Sequence, residues 1–311
     1  MNLYITEPKT KISTENNKLI INRENEVNKI PIGQIENLSI HQSVQITSQT
    51  ICKLSKEGIN ISWISCGDII CQTGIYNART IEKIKKQFDV LNNKKLILKL
   101  ASKNISCKIN NQLTYINFKE KNKKYNTKKA LSTDELLGIE GAAASFYFKN
   151  LSKNFPLEYQ FKSREKHPPT DPVNAVLSYL YALLYKEFTI KINNYGLNPA
   201  IGFFHKVKNG HYSLSSDLME SFRVEMCDKI AVKLFNDGFD ENSFSYEDSK
   251  VKISNQVRKM LITEFHRKLD EYYITSNGFA NNFNGSMDEV IHSYIAAIEK
   301  QDAKLFKAFK S

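Results

Sequence analysis

The sequence predicts an α+β protein, in which a small antiparallel β domain over residues 1–78 precedes a larger all-α domain over residues 79–311. Three observations carry that expectation. Short β-prone segments crowd the first 75 residues. The apolar period lengthens to that of a helix after Tyr76. The charge also changes there: residues 1–78 are balanced, with 7 Lys or Arg and 7 Asp or Glu, whereas residues 79–129 hold 15 basic side chains against 3 acidic ones.

In chain order, strands are expected at Leu3 to Thr6, Lys18 to Asn22, Val27 to Ile30, Ile35 to His41, Val44 to Ile46, Ile59 to Ser65 and Ile69 to Gln72. The polar turns between them, Arg23-Glu24-Asn25-Glu26 and Gly67-Asp68, suit hairpins better than crossover units. Residues 48–57 break the pattern: Ile51 and Leu54 fall at helical spacing and Gly58 supplies a stop. From Ala78 to about Lys103, apolar residues at Ile81, Ile84, Phe88, Leu91, Leu96 and Leu100 define a long helix with a break near Asn92-Asn93. Tyr115 to Tyr125 reads as a loop or helix end. Ser132, with Glu135 three residues on, marks a capped helix reaching about Leu151. Asp171 caps and Pro172 opens another, which Gly196 closes. Ser215 or Ser216 is expected to cap a helix to about Asn236, and helices are expected over Asn255 to Tyr273 and Met287 to Phe309, separated by an Asn- and Gly-rich loop over Gly278 to Gly285.

Composition narrows the function classes. No stretch approaches the ~20 apolar residues of a membrane span, and the opening MNLYITEPKTK lacks the order of a secretory signal, so a cytoplasmic protein is expected. Five cysteines, Cys52, Cys66, Cys71, Cys107 and Cys227, show no CxxC spacing and point neither to a disulfide scaffold nor to a thiolate zinc site. The net charge of +11 is carried by residues 79–129 alone, at +12, a run that fits either a solvated helix or a phosphate-binding surface.

Four side chains are candidates for chemistry. Glu140 lies in LLGIEGAAA, where Gly138 and Gly141 each cost a helix about 1 kcal/mol relative to alanine, so close approach of backbone or ligand is expected. His205 follows the apolar Gly202-Phe203-Phe204 and reads as either a packing histidine or a metal ligand. Asp217, Glu220 and Arg223 share one helical face, where the two acids can hold a cation or face solvent, and Glu220 can pair with Arg223 or Lys206. Carboxylates with one imidazole make an oxygen-rich donor set, suited to Mg²⁺ or Mn²⁺. Such an ion can neutralise the charge that develops on a phosphodiester, and the basic segment would hold the nucleic-acid backbone.

These residues resemble those of the CRISPR-associated adaptation integrases, metal-dependent endonuclease subunits that insert spacers into CRISPR arrays. Four passages carry the resemblance: LLGIEGAAASFYF around Glu140, DPVNAVLSYLYALL from Asp171, GLNPAIGFFH ending at His205, and SSDLMESFRVEMCD around Glu220. The amino-terminal LYITEPKTKISTENNKLII and IPIGQIENLSIHQSVQITSQTICKLSKEGINISWIS look like the family's β domain, so the likeness spans about residues 3 to 240. Two departures stand out. Arg164-Glu165-Lys166-His167 occupies a place where members often carry arginines, and Val224 replaces a frequent proline.

The resemblance implies that Glu140, His205 and Glu220 bind Mg²⁺ or Mn²⁺ and that Asp217 assists catalysis. It leaves Arg164, Lys166, His167 and Arg223 as DNA contacts. It further implies a homodimer formed through the β domains, DNA bound by the helical domains, and assembly with a small ferredoxin-like companion subunit. The implied reaction is attack by a protospacer 3′-hydroxyl on a phosphodiester at a repeat boundary, with cleavage of branched DNA by the isolated subunit. Two rivals stay open on the residues alone: a structure-selective nuclease of DNA repair, distinguished by indifference to a repeat-bearing target, and a non-catalytic DNA-binding scaffold, distinguished by indifference to metal.

Overall fold

Alternating aliphatic residues set the first strands. In β2 (Lys11–Glu15) and β3 (Lys18–Arg23), Ile12, Leu19 and Ile21 point inward, and Asn16 and Asn17, both at positive φ, make the tight turn that pairs the two strands antiparallel. The computed structural model describes residues 1–24, 26–65, 68–73, 78–118, 125–165, 168–247, 250–275 and 278–310. These fall into two compact units, Met1–Ile84 with Ile190–Leu197, and Lys85–Thr189 with Asn198–Ser311.

In the first unit, β4 (Glu26–Pro31) adds antiparallel to β3, while β6 (Gln45–Ile46) adds parallel to β2. The second sheet runs β1 (Asn2–Ile5), β5 (Asn37–His41), β7 (Asn60–Ser65), β8 (Asp68–Gln72). Here the antiparallel expectation fails: β1 pairs parallel with β5, and β5 with β7, leaving only β7 and β8 antiparallel. The reason is helix α1 (Ser48–Lys56), capped by the Thr47 hydroxyl, which carries the chain back so that β5 and β7 run the same way. Four consecutive buried residues in β5, Asn37 to Ile40, are the mark of a strand covered on both faces. Ile5, Ile12, Leu38, Ile40, Leu54 and Ile61 lie at the centre of this unit's core. Residues 190–197 join it through polar contacts: Asn194 meets the Asn37 and Asn60 side chains, Asn193 meets Gln72, and Lys83 donates to the Tyr195 carbonyl at 2.7 Å. Gly196 ends that helix at φ +74°, as its position in the sequence predicts.

The second unit is mainly helical. Helix α2 (Ala78–Leu91) stops at the expected break, and the Asn93 side chain caps α3 (Lys94–Tyr115). Ser132 caps α4 (Thr133–Leu151), and Glu135 returns a bond to the Leu131 N–H rather than to Ser132 itself. Asp171 caps the start of α5 (Pro172–Asn194). Then come α6 (Ser213–Met219), α7 (Lys229–Asp237), α8 (Asn255–Asp270) and α9 (Phe283–Lys300).

The expectation of an all-α second domain is corrected by two hairpins. One pairs β9 (Phe244–Glu247) with β10 (Lys250–Ile253), and the other pairs β11 (Tyr272–Ile274) with β12 (Ala280–Asn282). Each strand has only three or four residues, with too little alternation to register as a strand beside helical periods. The last helix also starts earlier, at Phe283, and stops at Gln301, which takes the left-handed conformation. The expected Ser215 or Ser216 cap is absent because α6 begins at Ser213. Ser215 instead bonds Thr189 and Ser216 bonds His211. Among the described residues, no helix is long and apolar enough to cross a membrane.

Candidate functional site

The site begins on α3. Leu100, Ala101, Asn104, Ile105, Lys108 and Gln112 recur at spacings of three and four, so all six are buried. The helix thereby places a lysine in a row of core positions. The Lys108 ammonium bonds Glu140 Oε1 of α4 and stands 2.6 Å from Glu220 Oε2. Both acids are largely withdrawn from solvent, Glu220 to 3% exposure and Glu140 to 18%.

His205 is delivered by a loop over residues 198–212 whose backbone is held from inside the unit. Gln87 accepts from the Asn198 N–H and donates to the Asn198 and Ile201 carbonyls. Leu214 N–H donates to the Pro199 carbonyl. Fully buried Asp217 then collects four donors. Oδ2 accepts from the N–H groups of Phe203 (2.6 Å) and Phe204 (3.0 Å), and Oδ1 accepts from the His205 N–H (2.9 Å) and from imidazole Nδ1 (2.6 Å). Gly202 is required by this closure, since a Cβ there would come within 2.5 Å of Asp217 Oδ2 and 2.7 Å of the Ser213 carbonyl carbon.

With Nδ1 committed to Asp217, His205 turns Nε2 toward Glu220 Oε1, 3.8 Å away. Burial works against a charged imidazole, but the hydrogen bond and charge of Asp217, with the charge of Glu220, raise the His205 pKa above 6.5.

Glu220 sits where the helical rod changes pitch. After α6 the chain makes a tight 3₁₀ turn at Glu220–Phe222, and then widens to a π-helical turn at Val224–Asp228 before α7. Such π turns are rare and concentrate at functional sites. Arg223 bonds Glu220 Oε1 at 2.9 Å. Burial alone would raise the Glu220 carboxyl, yet Arg223, Lys108 and His205 outweigh it and hold the pKa at about 2.

Behind Arg223 lies a second buried network. Asp228 accepts from the hydroxyls of Tyr147 and Tyr181, each at 2.7 Å. The Arg223 and Arg164 guanidiniums stand over the Tyr181 ring, 4.7 and 5.2 Å from its centre. Burial lifts the Asp228 carboxyl to about 6 against the pull of the two hydroxyls and the two arginines.

Glu140, His205, Asp217 and Glu220 are therefore brought together, in differing capacities. Among the described residues, no three His, Cys, Asp or Glu side chains stand assembled as a metal cage. Lys108 lies between the two glutamates, and Asp217 faces the loop backbone and the back of His205. Of the expected DNA contacts, Arg164 is turned inward to Asn174 and Ser178, Arg223 is spent on Glu220, and Lys166 and His167 fall outside the described residues. The basic segment is likewise less uniform than its composition: Lys83, Lys103 and Lys108 are tied to partners within their own units. Lys108, Tyr147, Tyr181 and Asp228 are the residues that sequence reasoning passed over. Only Lys108 carried a local signal, its register with the apolar face of α3.

The donor set fits a divalent cation. Glu220 Oε2 is buried and accepts no aligned hydrogen bond, Glu140 adds a second carboxylate, and Asp217 fixes the tautomer that leaves Nε2 of His205 with a free lone pair. Oxygen-rich donors with one imidazole and no thiolate favour Mg²⁺ or Mn²⁺.

Fold and cluster together define a class: an α+β protein whose helical unit gathers two glutamates, an Asp-anchored histidine, a lysine and an arginine around one point. A family model described as CRISPR associated protein Cas1 matches residues 3–267, and the chain belongs to that family. A similar protein of Leptospira interrogans serogroup Icterohaemorrhagiae serovar Lai (strain 56601), named a CRISPR-associated exonuclease Cas4/endonuclease Cas1 fusion, is 31% identical over 326 residues, covering 96% of this chain and 60% of its own length. The chain spans between 50% and 60% of the length of three such fusions. Among solved structures, one titled Cas6-RT-Cas1--Cas2 complex superposes with TM-score 0.79 at 19% identity, over 100% of this chain and 36% of the other. A structure titled casposase bound to integration product superposes with TM-score 0.71 at 22% identity, over 98% of this chain and 97% of the other. At these identities the structural likeness establishes the fold.

Proposed function

We propose that this chain is a divalent-cation-dependent DNA endonuclease and integrase, which joins the 3′-hydroxyl of protospacer DNA to a phosphodiester at the boundary of a CRISPR repeat. The observation that carries this reading is the convergence of Glu140, Glu220 and the Asp217-anchored His205 within one unit. Family membership and the likeness to a casposase bound to an integration product support the reaction class.

Glu140, Glu220 and Nε2 of His205 would hold Mg²⁺ or Mn²⁺, which supplies charge stabilisation to the phosphate and acidifies the attacking hydroxyl. The protein's own part is preorganisation. Asp217 keeps the His205 Nδ1 proton in place and the imidazole aimed at Glu220. Arg223 keeps the Glu220 carboxylate ionised and oriented, and is itself seated on Tyr181. Positively charged groups outside the site hold the DNA backbone, with a binding energy that falls as salt rises. In this reading the chain works as a homodimer with a small ferredoxin-like companion subunit, in line with its likeness to a structure whose title names Cas1 and Cas2 together.

The test uses a 3′-hydroxyl duplex and a supercoiled repeat-bearing plasmid, with and without the companion, in Mg²⁺, Mn²⁺ or chelator. Strand transfer that needs metal and prefers the repeat is expected. Transfer unaffected by chelator contradicts the proposed chemistry, and metal-dependent cleavage without repeat-dependent transfer replaces integration with the structure-selective nuclease.

A further inference from the structure

The least expected member of the cluster is Lys108. Lysine is rarely buried, yet this one is 4% exposed and directs its ammonium between two carboxylates on different helical elements, Glu140 on α4 and Glu220 in the 3₁₀ turn. Glu220 already has a dedicated cation in Arg223, with good hydrogen-bonding distance, whereas Lys108 meets Glu220 Oε2 without hydrogen-bond alignment. A lysine needed only to neutralise Glu220 would be redundant. The oxygens that Lys108 touches are the ones the candidate divalent ion requires. An ion such as Mg²⁺ binds oxygens at about 2.0–2.1 Å, so it and the ammonium cannot share the space between them. A lysine's four-carbon stem makes it a displaceable point charge, unlike the rigid fork of arginine.

We propose that Lys108 is a built-in counter-cation that occupies the position between Glu140 and Glu220 when no divalent ion is bound, and that the ion enters by displacing it. Lys108 thereby lowers the apparent metal affinity by competing for the same oxygens. The proposal rests on the reading of Glu140, His205 and Glu220 as metal ligands.

The test is Mn²⁺ titration of the full chain, with free Mn²⁺ followed by electron paramagnetic resonance, for the wild type, K108Q, K108R and E140Q. K108Q should bind Mn²⁺ about tenfold more tightly than wild type, a difference of ~1.4 kcal/mol. K108R, which keeps the charge, should bind no more tightly than wild type. E140Q should lose binding. A lysine with a purely structural role predicts the opposite sign, since its loss would let the glutamates drift and weaken binding, so equal or weaker affinity in K108Q overturns the proposal. Wild-type binding that E140Q abolishes, with no gain in K108Q, removes the Lys108 proposal and leaves the metal reading intact. No binding by any variant removes both. A second measurement needs only wild-type protein: amine acetylation mapped by mass spectrometry. Lys108 should be protected in chelator and labelled severalfold more in saturating Mg²⁺, and labelling unchanged by Mg²⁺ contradicts displacement.

Discussion

Replacing Asp217 by asparagine keeps the shape of the side chain and reverses the hydrogen-bonding character of half of it. The fully buried carboxylate accepts four N–H donors, two on each oxygen, at 2.6–3.0 Å. Turned toward Phe203 and Phe204, its NH₂ confronts two backbone donors; turned toward His205, it confronts the His205 N–H and forces the imidazole into the tautomer whose Nδ1 accepts. A buried donor without a partner costs about 1–3 kcal/mol, and the cheaper orientation leaves one such backbone donor, so D217N should lose about 1–3 kcal/mol of stability. That is a large part of the ~5–15 kcal/mol that typically holds a domain together. Urea unfolding in chelator, followed by circular dichroism, measures the loss directly. Surviving folded D217N should also bind Mn²⁺ about 10–100-fold more weakly, because the anchor for the His205 tautomer is gone. A stability change below ~0.5 kcal/mol, the range of ordinary surface substitutions, would refute the assignment of Asp217 as the joint between the His205 loop and α6.

Three further outcomes follow from the same geometry. Gly202→Ala places a methyl against Asp217 and the Ser213 backbone, and thermal unfolding should report a loss of about 1–3 kcal/mol from overpacking, whereas an unchanged midpoint would show that the loop yields freely. Gly138 and Gly141 have open space where a Cβ would go, so G138A and G141A should each stabilise α4 by about 0.5–1 kcal/mol in the same assay. A loss of stability would reveal a packing demand that this chain alone does not explain. Asp228 has a folded-state pKa raised from 3.8 to about 6, so the stability it contributes is full below pH 3.8 and is lost as pH rises through 6. Relative to wild type, Asp228→Asn should therefore gain about 2 kcal/mol between pH 4 and pH 7, and parallel pH profiles from denaturant unfolding would contradict the shift.

Local punctuation was the part of this fold that could be read from residues. Ser132, Asp171, Asn93 and Gly196 act where the chain's own chemistry places them, since caps and breaks depend on neighbours within one turn. Strand direction was not legible, because the parallel pairing of β5 with β7 is decided by how α1 packs, not by either strand's alternation. The hairpins of the second unit were too short to signal themselves. At the candidate site, Glu140, His205 and Glu220 were visible as residue types but not in their relations. Nothing near Asp217 in sequence announces that it will accept bonds from a loop twelve to fourteen residues earlier, and an i, i+3 pattern gave it a solvent-facing or cation-sharing role. Lys108 was counted with the basic run by composition, although its spacing from Leu100, Ala101, Asn104 and Ile105 already put it on the inward face of α3.

The central claim is that Glu140, His205 and Glu220 form one metal-dependent catalytic centre. Single-turnover strand transfer of a 3′-hydroxyl duplex into a repeat-bearing target, measured for wild type and Glu140→Gln beside their DNA affinities, tests it most directly. The account predicts that the substitution abolishes Mg²⁺- or Mn²⁺-dependent transfer while DNA affinity stays within about tenfold, as expected for a group that acts on the transition state. Transfer at the wild-type rate by folded Glu140→Gln would contradict it.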